Sequence, residues 1–219
     1  MLKPILGLIL SYLLGSIPTG YLSGRAAKGI DLRKYGSGNM GATNAFRVLG
    51  KGIGTTVLIL DILKGIIALL LAKSVFFSPD MGISLNLFLC LAAVAVVSGH
   101  NWTVFLGFKG GKGVATSLGV LIAFCIVIDK FTGVVLSIIV LWLGIFLLSG
   151  FVSLASVICS VLLPVFAIFF QLPREIVLFL SLLALLSLIR HKPNILRLLQ
   201  KKESRFNTKA LFSRKTLSR

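Results

Sequence analysis

Long apolar runs, separated by short polar segments, constrain the fold of this chain more than any other feature. Of its 219 residues, 57% are hydrophobic and 13% are charged, which is too little polar surface for a soluble domain of this size. Runs of this length cross the hydrocarbon core of a bilayer when they are helical. We therefore predict an all-α, polytopic membrane protein. The seven runs are Pro4 to Tyr21 and residues 53–77, 84–106, 114–128, 132–149, 153–171 and 175–190.

Positive charge is distributed unevenly between the two sides of such a bundle. If all seven runs cross as transmembrane helices, the segments 24–52, 107–113 and 149–153 and the basic tail lie on one side and carry most of the Lys and Arg residues. Cytoplasmic loops are rich in Lys and Arg, so the N-terminus is predicted outside and the C-terminus in the cytoplasm. The run 114–128 is short for a full crossing, and in a five-span alternative two weaker segments do not cross.

We expect residues 1–205 to form an integral-membrane domain and residues 206–219 a basic cytoplasmic tail, within a soluble segment that begins at residue 191. The formal net charge of +17 is compatible with a nucleic-acid partner, but the basic residues lie in the loops and the tail. That placement is explained by membrane topology and by anionic lipids or substrates. No nucleic-acid partner is therefore predicted.

Two charged residues interrupt the second apolar run. Asp61 and Lys64 stand three positions apart, so on an α-helix they share one face and can neutralise each other. Charges at that depth are costly when they are unpaired. We expect both side chains to face the protein interior.

A glycine-rich basic turn, residues 107–113, follows the third run. Backbone with so few side chains exposes its N–H groups, and the next helix directs its positive end at the same place. Together with Lys112, these groups predict a phosphate site. A nucleotide-binding P-loop is excluded, because Leu106 and Gly113 stand where that pattern needs glycine and Ser or Thr. The alternative is a tight turn that only permits close helix packing.

The segment from Gly36 to Arg47 alternates glycine with small hydrogen-bonding side chains and ends on an arginine. Hydroxyl and amide groups bind hydroxyl or phosphate oxygens, and an arginine can bind a phosphate with two parallel hydrogen bonds. The alternative is a polar loop in which Asn39 or Thr43 caps a following helix. The candidate ligands are Ser37, Asn39, Thr43, Asn44 and Arg47.

The two histidines, His100 and His191, do not form a pair at metal-ligand spacing, and the six acidic residues form no cluster, so no metal site is predicted. Neither histidine has an acid close behind it, and Gly-x-Ser-x-Gly is absent, so neither a histidine–carboxylate dyad nor serine-hydrolase chemistry is indicated. Each histidine is interpreted as structural or phosphate-binding. Residues 190–197 belong either to a site or to a juxtamembrane basic belt.

Three blocks of this sequence resemble, in order and spacing, the motifs of the bacterial membrane acyl-phosphate:glycerol-3-phosphate acyltransferases, the PlsY family. The blocks are Gly36 to Arg47, Gly99 to Thr116 and Arg190 to Arg197. The likeness covers about residues 1–205 and includes the segments Leu60 to Gly65 and Ser153 to Ser156.

Two residues depart from that family's pattern. Thr103 stands where the family usually has proline, and Lys201 stands where a glycine usually precedes the acidic residue, here Glu203. The first departure is expected to act on the bend before the glycine turn. The second is expected to affect only the tail.

The resemblance implies transfer of an acyl group from acyl phosphate to the 1-hydroxyl of glycerol 3-phosphate, giving lysophosphatidic acid in the first membrane step of phospholipid synthesis. It implies that both substrates carry phosphate, that membrane lipid surrounds the helices, and that no cofactor is needed. It also implies a functional link to the soluble phosphate acyltransferase that makes acyl phosphate. The location implied is the bacterial cytoplasmic membrane, with the active site facing the cytoplasm.

Under this interpretation, Lys112 and the N–H groups of the turn hold one phosphate, and the Gly36–Arg47 segment holds glycerol 3-phosphate together with His191 and Asn194. The hydroxyl proton passes to a substrate phosphate oxygen or to His191. Catalytic roles fall to Lys112, His191, Ser37 and Arg47, and substrate-binding roles to Asn39, Thr43, Asn44, Gly110, Gly111, Gly113, Asn194, Ser153 and Ser156. From the residues without the resemblance, a transporter for an organic phosphate stays an open alternative.

Overall fold

The computed structural model describes residues 2–206, and the regular elements of this part are all helical. The all-α prediction is therefore confirmed for the described residues; Met1 and residues 207–219, which include most of the predicted tail, lie outside them. The α-helices of residues 2–206 are α1 (Leu2–Ser16), α2 (Thr19–Lys28), α3 (Ala42–Val48), α4 (Lys51–Leu71), α5 (Leu85–Asn101), α6 (Val114–Cys125), α7 (Phe131–Ser149), α8 (Val152–Phe169) and α9 (Arg174–Leu199).

Six helical segments between residues 2 and 206 are long and apolar enough to cross a membrane. The remaining predicted run, 114–128, forms only α6, which has 12 residues. At about 1.5 Å per residue, α6 is roughly 18 Å long, against a hydrocarbon core of roughly 30 Å. It is too short to cross the membrane alone. The number of crossings and the orientation of the termini remain predictions. The six long segments are Leu2–Lys28, Lys51–Phe76, Leu85–Leu106, Phe131–Ser149, Val152–Phe169 and Arg174–Leu199.

Two segments that were predicted to be polar loop or tail are partly helical. The segment 24–52 contains the end of α2 and all of α3, and α9 continues beyond residue 191 to Leu199. The predicted start of the tail at residue 191 is therefore wrong. The physical reason is that His191 and Asn194, one helical turn apart, are both buried inside the protein, whereas the apolar run ends before them.

Helix α5 lies at the centre of the bundle, where it contacts α1, α4, α6 and α9. Its side chains Phe88, Leu89 and Val96 are fully buried. Beside it, the ring of Phe124 packs on Phe131 and Phe179, with ring centroids 5.3 and 5.4 Å apart. The glycine turn follows the C-terminal end of α5, so the best-packed helix supports it.

Close backbone contacts join the helices in pairs. Gly15 of α1 and Gly99 of α5 each face a backbone carbonyl of the other helix, and a Cβ at either position would collide with it. Gly65 of α4 and Gly119 of α6 make the same kind of contact. Small residues allow helices in lipid to approach closely enough for dispersion contacts to hold them together.

Asp61 is the centre of a buried polar cluster, which we call the Asp61 cluster and define as Thr19, Asp61, Lys64 and His100. Asp61 Oδ1 accepts hydrogen bonds from Lys64 Nζ at 2.8 Å and Thr19 Oγ1 at 2.7 Å, and it lies 3.4 Å from His100 Nδ1. Lys64 Nζ also donates to the carbonyl of Ile17 at 3.0 Å. The prediction that Asp61 and Lys64 face the interior is confirmed.

We expect Asp61→Leu to lower the free energy of unfolding by about 3–5 kcal/mol, because it leaves the Lys64 ammonium buried without its counter-charge. Thermal unfolding of the detergent-purified protein measures the change. The double variant Asp61→Leu with Lys64→Leu should recover most of the loss, since both charges are then removed. Asp80→Leu, at an exposed loop acid, is the control. A single variant as stable as the wild-type protein would contradict the prediction.

Candidate active site

Four polar segments meet at one end of the helix bundle. Arg47, near the end of α3, donates from Nη2 to the carbonyl of Ser204 at 3.1 Å. The N–H of Phe206 donates to the carbonyl of Gly150, between α7 and α8, at 2.8 Å. Arg190 of α9 binds the glycine turn. These contacts agree with the prediction that the polar segments lie on one side of the membrane.

The glycine turn is held from both sides. The N–H of Gly111 donates to the carbonyl of His100 at 2.9 Å. From the other side, Arg190 Nε donates to the carbonyl of Gly111 at 2.9 Å, and Nη2 donates to the carbonyls of Gly110 and Gly111 at 3.0 and 2.7 Å. A Cβ on Gly110 or Gly111 would collide with His100. Close packing therefore accounts for these two glycines, whatever else the turn does.

Three N–H groups of the turn are not used by the described part of the protein. Within residues 2–206, the N–H groups of Gly110, Lys112 and Gly113 donate no hydrogen bond. Helix α6 begins directly after them at Val114 and adds the partial positive charge of its N-terminus. The N–H of Gly111 was predicted to belong to this set, but His100 already uses it.

Lys112 is partly buried and forms no hydrogen bond with residues 2–206. Burial lowers the pKa of Lys112 to about 8, and the nearby charges of Arg197, Arg47 and Arg190 act in the same direction, while Glu203 opposes them. Four cations and a single carboxylate thus lie close together in the described part of the site. This excess of positive charge is suited to an anionic ligand.

Glu203 organises the donors that face this group of cations. Its Oε1 accepts from Ser153 Oγ at 2.8 Å and from Asn194 Nδ2 at 2.6 Å, and its Oε2 accepts from Arg197 Nε at 2.7 Å. Burial would raise the pKa of Glu203, but these hydrogen bonds outweigh it and hold the pKa below its ordinary value. Because a carboxylate only accepts, Glu203 also fixes the orientation of the Asn194 amide.

Two acceptor atoms of α9 are open beside Lys112. His191 Nδ1 lies 2.8 Å from the carbonyl of Ser187, which only accepts, so Nδ1 carries the proton and Nε2 of the neutral ring presents a lone pair. Asn194 Oδ1 is buried and has no partner among residues 2–206. Lys112 is close enough for its charge to act on the His191 ring. A ligand hydroxyl is the group that such acceptors bind.

Asn44 holds the Gly36–Arg47 segment together from within. Its Oδ1 accepts from the N–H of Ser37 at 2.9 Å, and its Nδ2 donates to the carbonyls of Tyr35 at 3.0 Å and Asn39 at 2.8 Å. The side chain is 1% exposed. The predicted role of Asn44 as a ligand is thus replaced by a structural one, because both ends of its amide are already used by the loop.

The capping alternative for the same segment is wrong. The N-cap of α3 is Gly41, and no side chain caps the helix. Asn39 Oδ1 instead accepts from the N–H of Gly41 at 2.8 Å, which leaves its Nδ2 open. Ser37 is exposed and Thr43 is partly buried, and neither hydroxyl bonds to another described residue. Of this segment, only Arg47 is linked to the Lys112 group by contacts or charge among residues 2–206.

Ser156 was predicted to bind substrate, but its hydroxyl is already used between helices. Its hydroxyl donates to the carbonyl of Val152 at 2.8 Å and accepts from Trp142 Nε1 at 3.2 Å. It therefore packs α7 against α8. Ser153, one turn earlier on α8, does reach the site through Glu203.

The two departures from the family pattern have different consequences. Thr103 has φ −68° and ψ 125°, which a proline also adopts, so the bend before the glycine turn is kept. Lys201 has φ 57°, a left-handed conformation that costs a lysine about 1–2 kcal/mol and a glycine almost nothing. This turn returns the chain from α9 to Glu203. The expectation that Lys201 affects only the tail is therefore wrong.

Several residues of the site were not identified from the sequence. Glu203 was noted only beside Lys201, although it is the one acidic residue after Glu175 in a strongly basic stretch, and that isolation was the available signal. Arg190 and Arg197 were not separated from a general basic belt. The acid beside His100 comes from α4, so a search along the local sequence misses it.

Comparison with known proteins covers nearly the whole chain. A family model described as glycerol-3-phosphate acyltransferase matches residues 5–201. A glycerol-3-phosphate acyltransferase of Desulforudis audaxviator is 45% identical over 206 residues, which cover 94% of this chain and 97% of the relative. One from Streptococcus sanguinis is 44% identical over 212 residues, which cover 93% and 92%.

A solved structure agrees with these relatives. The chain is similar to the crystal structure of PlsY (YgiH), described as an integral membrane glycerol 3-phosphate acyltransferase, in its glycerol 3-phosphate form. The TM-score is 0.81 at 39% identity, and the match covers 96% of this chain and 99% of the other. The lysophosphatidic acid form of that protein gives a TM-score of 0.82.

We expect Glu203→Gln to lower thermal stability at neutral pH, because a neutral amide replaces the carboxylate that accepts from Ser153, Asn194 and Arg197. The folded-state pKa of Glu203 lies below its ordinary value of 4.5, so this contribution is fully present above pH 4.5 and is lost as the pH falls through the folded-state pKa.

The difference in Tm between the wild-type protein and Glu203→Gln should therefore shrink as the pH falls below 4.5. Thermal unfolding as a function of pH measures it. Glu175→Gln, which removes a carboxylate at the opposite end of α9, is the matched control. A Tm difference that is the same at every pH would contradict this origin.

Proposed function

The chain belongs to the glycerol-3-phosphate acyltransferase family and is an integral membrane acyltransferase, and we propose that its acyl donor is acyl phosphate. The products are then 1-acyl-glycerol 3-phosphate, which is lysophosphatidic acid, and inorganic phosphate. The observation that carries this proposal is the position of Lys112, partly buried among three arginines and without a hydrogen-bond partner in residues 2–206. Glycerol 3-phosphate, the acceptor, carries one phosphate. An acyl phosphate donor brings a second phosphate, which this group of cations can also bind.

The glycine turn holds the phosphate of the donor. Lys112 supplies the charge, and the N–H groups of Gly110, Lys112 and Gly113 supply directed hydrogen bonds at the N-terminus of α6. These groups stabilise the negative charge that the phosphate keeps as it leaves the acyl carbon. The N–H of Gly111 does not bind this phosphate, because it donates to the carbonyl of His100.

The segment that ends at Arg47 holds glycerol 3-phosphate. Arg47 binds its phosphate, and the open hydroxyls of Ser37 and Thr43 and the Nδ2 of Asn39 add hydrogen bonds as the substrate draws the loop toward the site. Asn44 supports this loop from within. Asn194 Oδ1 accepts from a glycerol hydroxyl, which satisfies an otherwise unpaired buried atom.

The chemistry is direct transfer between two bound substrates. The 1-hydroxyl oxygen attacks the acyl carbon and forms the ester bond, while the bond from that carbon to the phosphate oxygen breaks. His191 Nε2 accepts a hydrogen bond from the hydroxyl and orients it, and the proton ends on the departing phosphate. An acyl phosphate is already activated, so the protein mainly positions the reactants and stabilises charge. No enzyme nucleophile is needed, and the Ser153 hydroxyl is held by Glu203.

The cellular setting follows from the charge distribution. The site lies at the end of the bundle that carries the basic loops, which supports a cytoplasmic face of the bacterial inner membrane. The acyl chain then lies between the helices, open to lipid, and the soluble phosphate acyltransferase that makes acyl phosphate supplies the donor from the cytoplasm. Membrane lipid, glycerol 3-phosphate and acyl phosphate are the partners this assignment requires.

We expect the purified protein to form lysophosphatidic acid from palmitoyl phosphate and glycerol 3-phosphate, and not from palmitoyl-CoA or palmitoyl-carrier protein. Product formation with each donor, offered separately, measures this. Lys112→Ala should lose activity by about a hundredfold or more, in the range of a lost oxyanion donor. Lys109→Ala, an exposed lysine of the same turn, is the control. Transfer from a thioester at a comparable rate would reject acyl phosphate as the dedicated donor.

The lowered pKa of Lys112 also predicts that kcat/KM depends on pH. Its cationic form binds phosphate, and its pKa in the free enzyme is about 8, so kcat/KM should be steady near neutral pH and fall as the pH rises through 8. Lys112→Arg keeps its charge across this range and should remove the alkaline decline even if its maximum activity is lower. A pH series of kcat/KM for acyl phosphate measures both. An unchanged alkaline decline in Lys112→Arg would assign it to another group.

A further inference from the structure

We infer that Arg190 is a positioning residue, which fixes the backbone on either side of Gly111 and so places Lys112, and is not itself a phosphate ligand. The inference rests on the role proposed for Lys112. It concerns how that lysine and its N–H group are held in place before any substrate arrives.

The contacts of Arg190 are directed at the backbone of the turn. Its Nε and Nη2 form the edge of the guanidinium that would bind a phosphate with two parallel hydrogen bonds. Here Nε donates to the Gly111 carbonyl at 2.9 Å, and Nη2 donates to the carbonyls of Gly110 and Gly111 at 3.0 and 2.7 Å. The guanidinium carbon also lies 5.4 Å from the ring centroid of Trp102, which holds the plane of the group.

Because of peptide geometry, the contacts of Arg190 with two carbonyls also fix the directions of the N–H groups of Gly111 and Lys112. In a trans peptide the C=O and the N–H point in opposite directions. When Arg190 binds the Gly110 carbonyl, the Gly111 N–H must point away from it, and there it meets the carbonyl of His100. When Arg190 binds the Gly111 carbonyl, the N–H of Lys112 must likewise point away, and within residues 2–206 this N–H donates no hydrogen bond. The contacts of Arg190 with these two carbonyls therefore fix one donor that is used and one that has no partner among residues 2–206.

The opposite side of the turn is fixed through His100. Its Nδ1 lies 3.4 Å from Asp61 Oδ1 and 3.2 Å from Thr116 Oγ1, and its ring packs against Gly111. Gly111 is thus held between a residue anchored in the bundle core and an arginine from α9. We call this pair, His100 and Arg190, the Gly111 clamp. Lys112 is the next residue along the chain, so the clamp sets where its Cα lies.

The clamp predicts an effect on the turn that does not depend on the reaction. In Arg190→Gln and Arg190→Lys, amide hydrogen exchange at Gly111 should become about tenfold faster or more, because its N–H is no longer held against the His100 carbonyl by the two-pronged contact. Lys192→Gln, which removes an exposed cation two residues further along the chain, should leave this exchange unchanged. Unchanged exchange in both folded Arg190 variants would overturn the clamp.

Kinetics then separate positioning from phosphate binding. Arg190→Gln should lower kcat/KM by about a hundredfold, and Arg190→Lys by nearly as much, because a lysine keeps the charge but not the planar fork. A phosphate ligand would instead be largely rescued by lysine, mainly through KM. In a Lys112→Ala background, Arg190→Gln should cost little more, since it acts through Lys112. Fully additive losses, rescue by lysine or a harmless Arg190→Gln would each overturn the inference.

The two proposals fail in different ways. If wild-type protein transfers no acyl group from acyl phosphate, or if Lys112→Ala is fully active, the proposed function is wrong, while the exchange experiment still decides the clamp. If the wild-type protein is active and Lys112→Ala is not, yet Arg190 variants keep normal exchange and activity, only the clamp is wrong. Thermal unfolding of each variant establishes that it is folded, and Arg190→Lys serves if Arg190→Gln does not fold.

Discussion

A single buried oxygen, Oδ1 of Asp61, connects the membrane interior to the glycine turn that we propose as a phosphate site. It accepts hydrogen bonds from Thr19 and Lys64 and lies beside His100, whose carbonyl in turn holds the N–H of Gly111. In lipid a polar group without a partner is expensive, so this arrangement has few alternatives of similar energy. The geometry of the glycine turn is therefore inherited from the packing of α4, α5 and α6.

The charged site around Lys112 differs from this core, because it contains more positive charge than its carboxylate can neutralise. Arg47, Arg190 and Arg197 lie near Lys112, and the one carboxylate nearby, Glu203, balances only part of their charge. Such a site is strained electrostatically when empty and relaxed when anions occupy it. Stability and function thus compete here, and the well-packed helices below supply the rigidity that the charged region lacks.

The sequence predicted the helices well, because long apolar runs carry an unambiguous signal in a membrane protein. The predicted end of the last helix was wrong, because the residues around His191 and Asn194 are as polar as those of a solvated tail. Both side chains are nevertheless buried. The prediction for Asn44 was also wrong, because an amide in a glycine-rich loop looks the same whether it binds its own backbone or a ligand. Glu203 was missed because its partner Ser153 is fifty positions away, and no local pattern joins them.

Because the pKa of Lys112 is lowered, the binding of a phosphate to the glycine turn is coupled to the uptake of a proton. Since this pKa is lowered to about 8, a mildly alkaline solution leaves part of the free protein with this amine uncharged, whereas a bound phosphate dianion favours the ammonium. Occupying the turn then draws a proton from solution, and the measured enthalpy of binding depends on the ionisation heat of the buffer as well as on the contacts made. By the same linkage, the pH dependence of phosphate affinity depends on the pKa of Lys112, and bound phosphate raises that pKa.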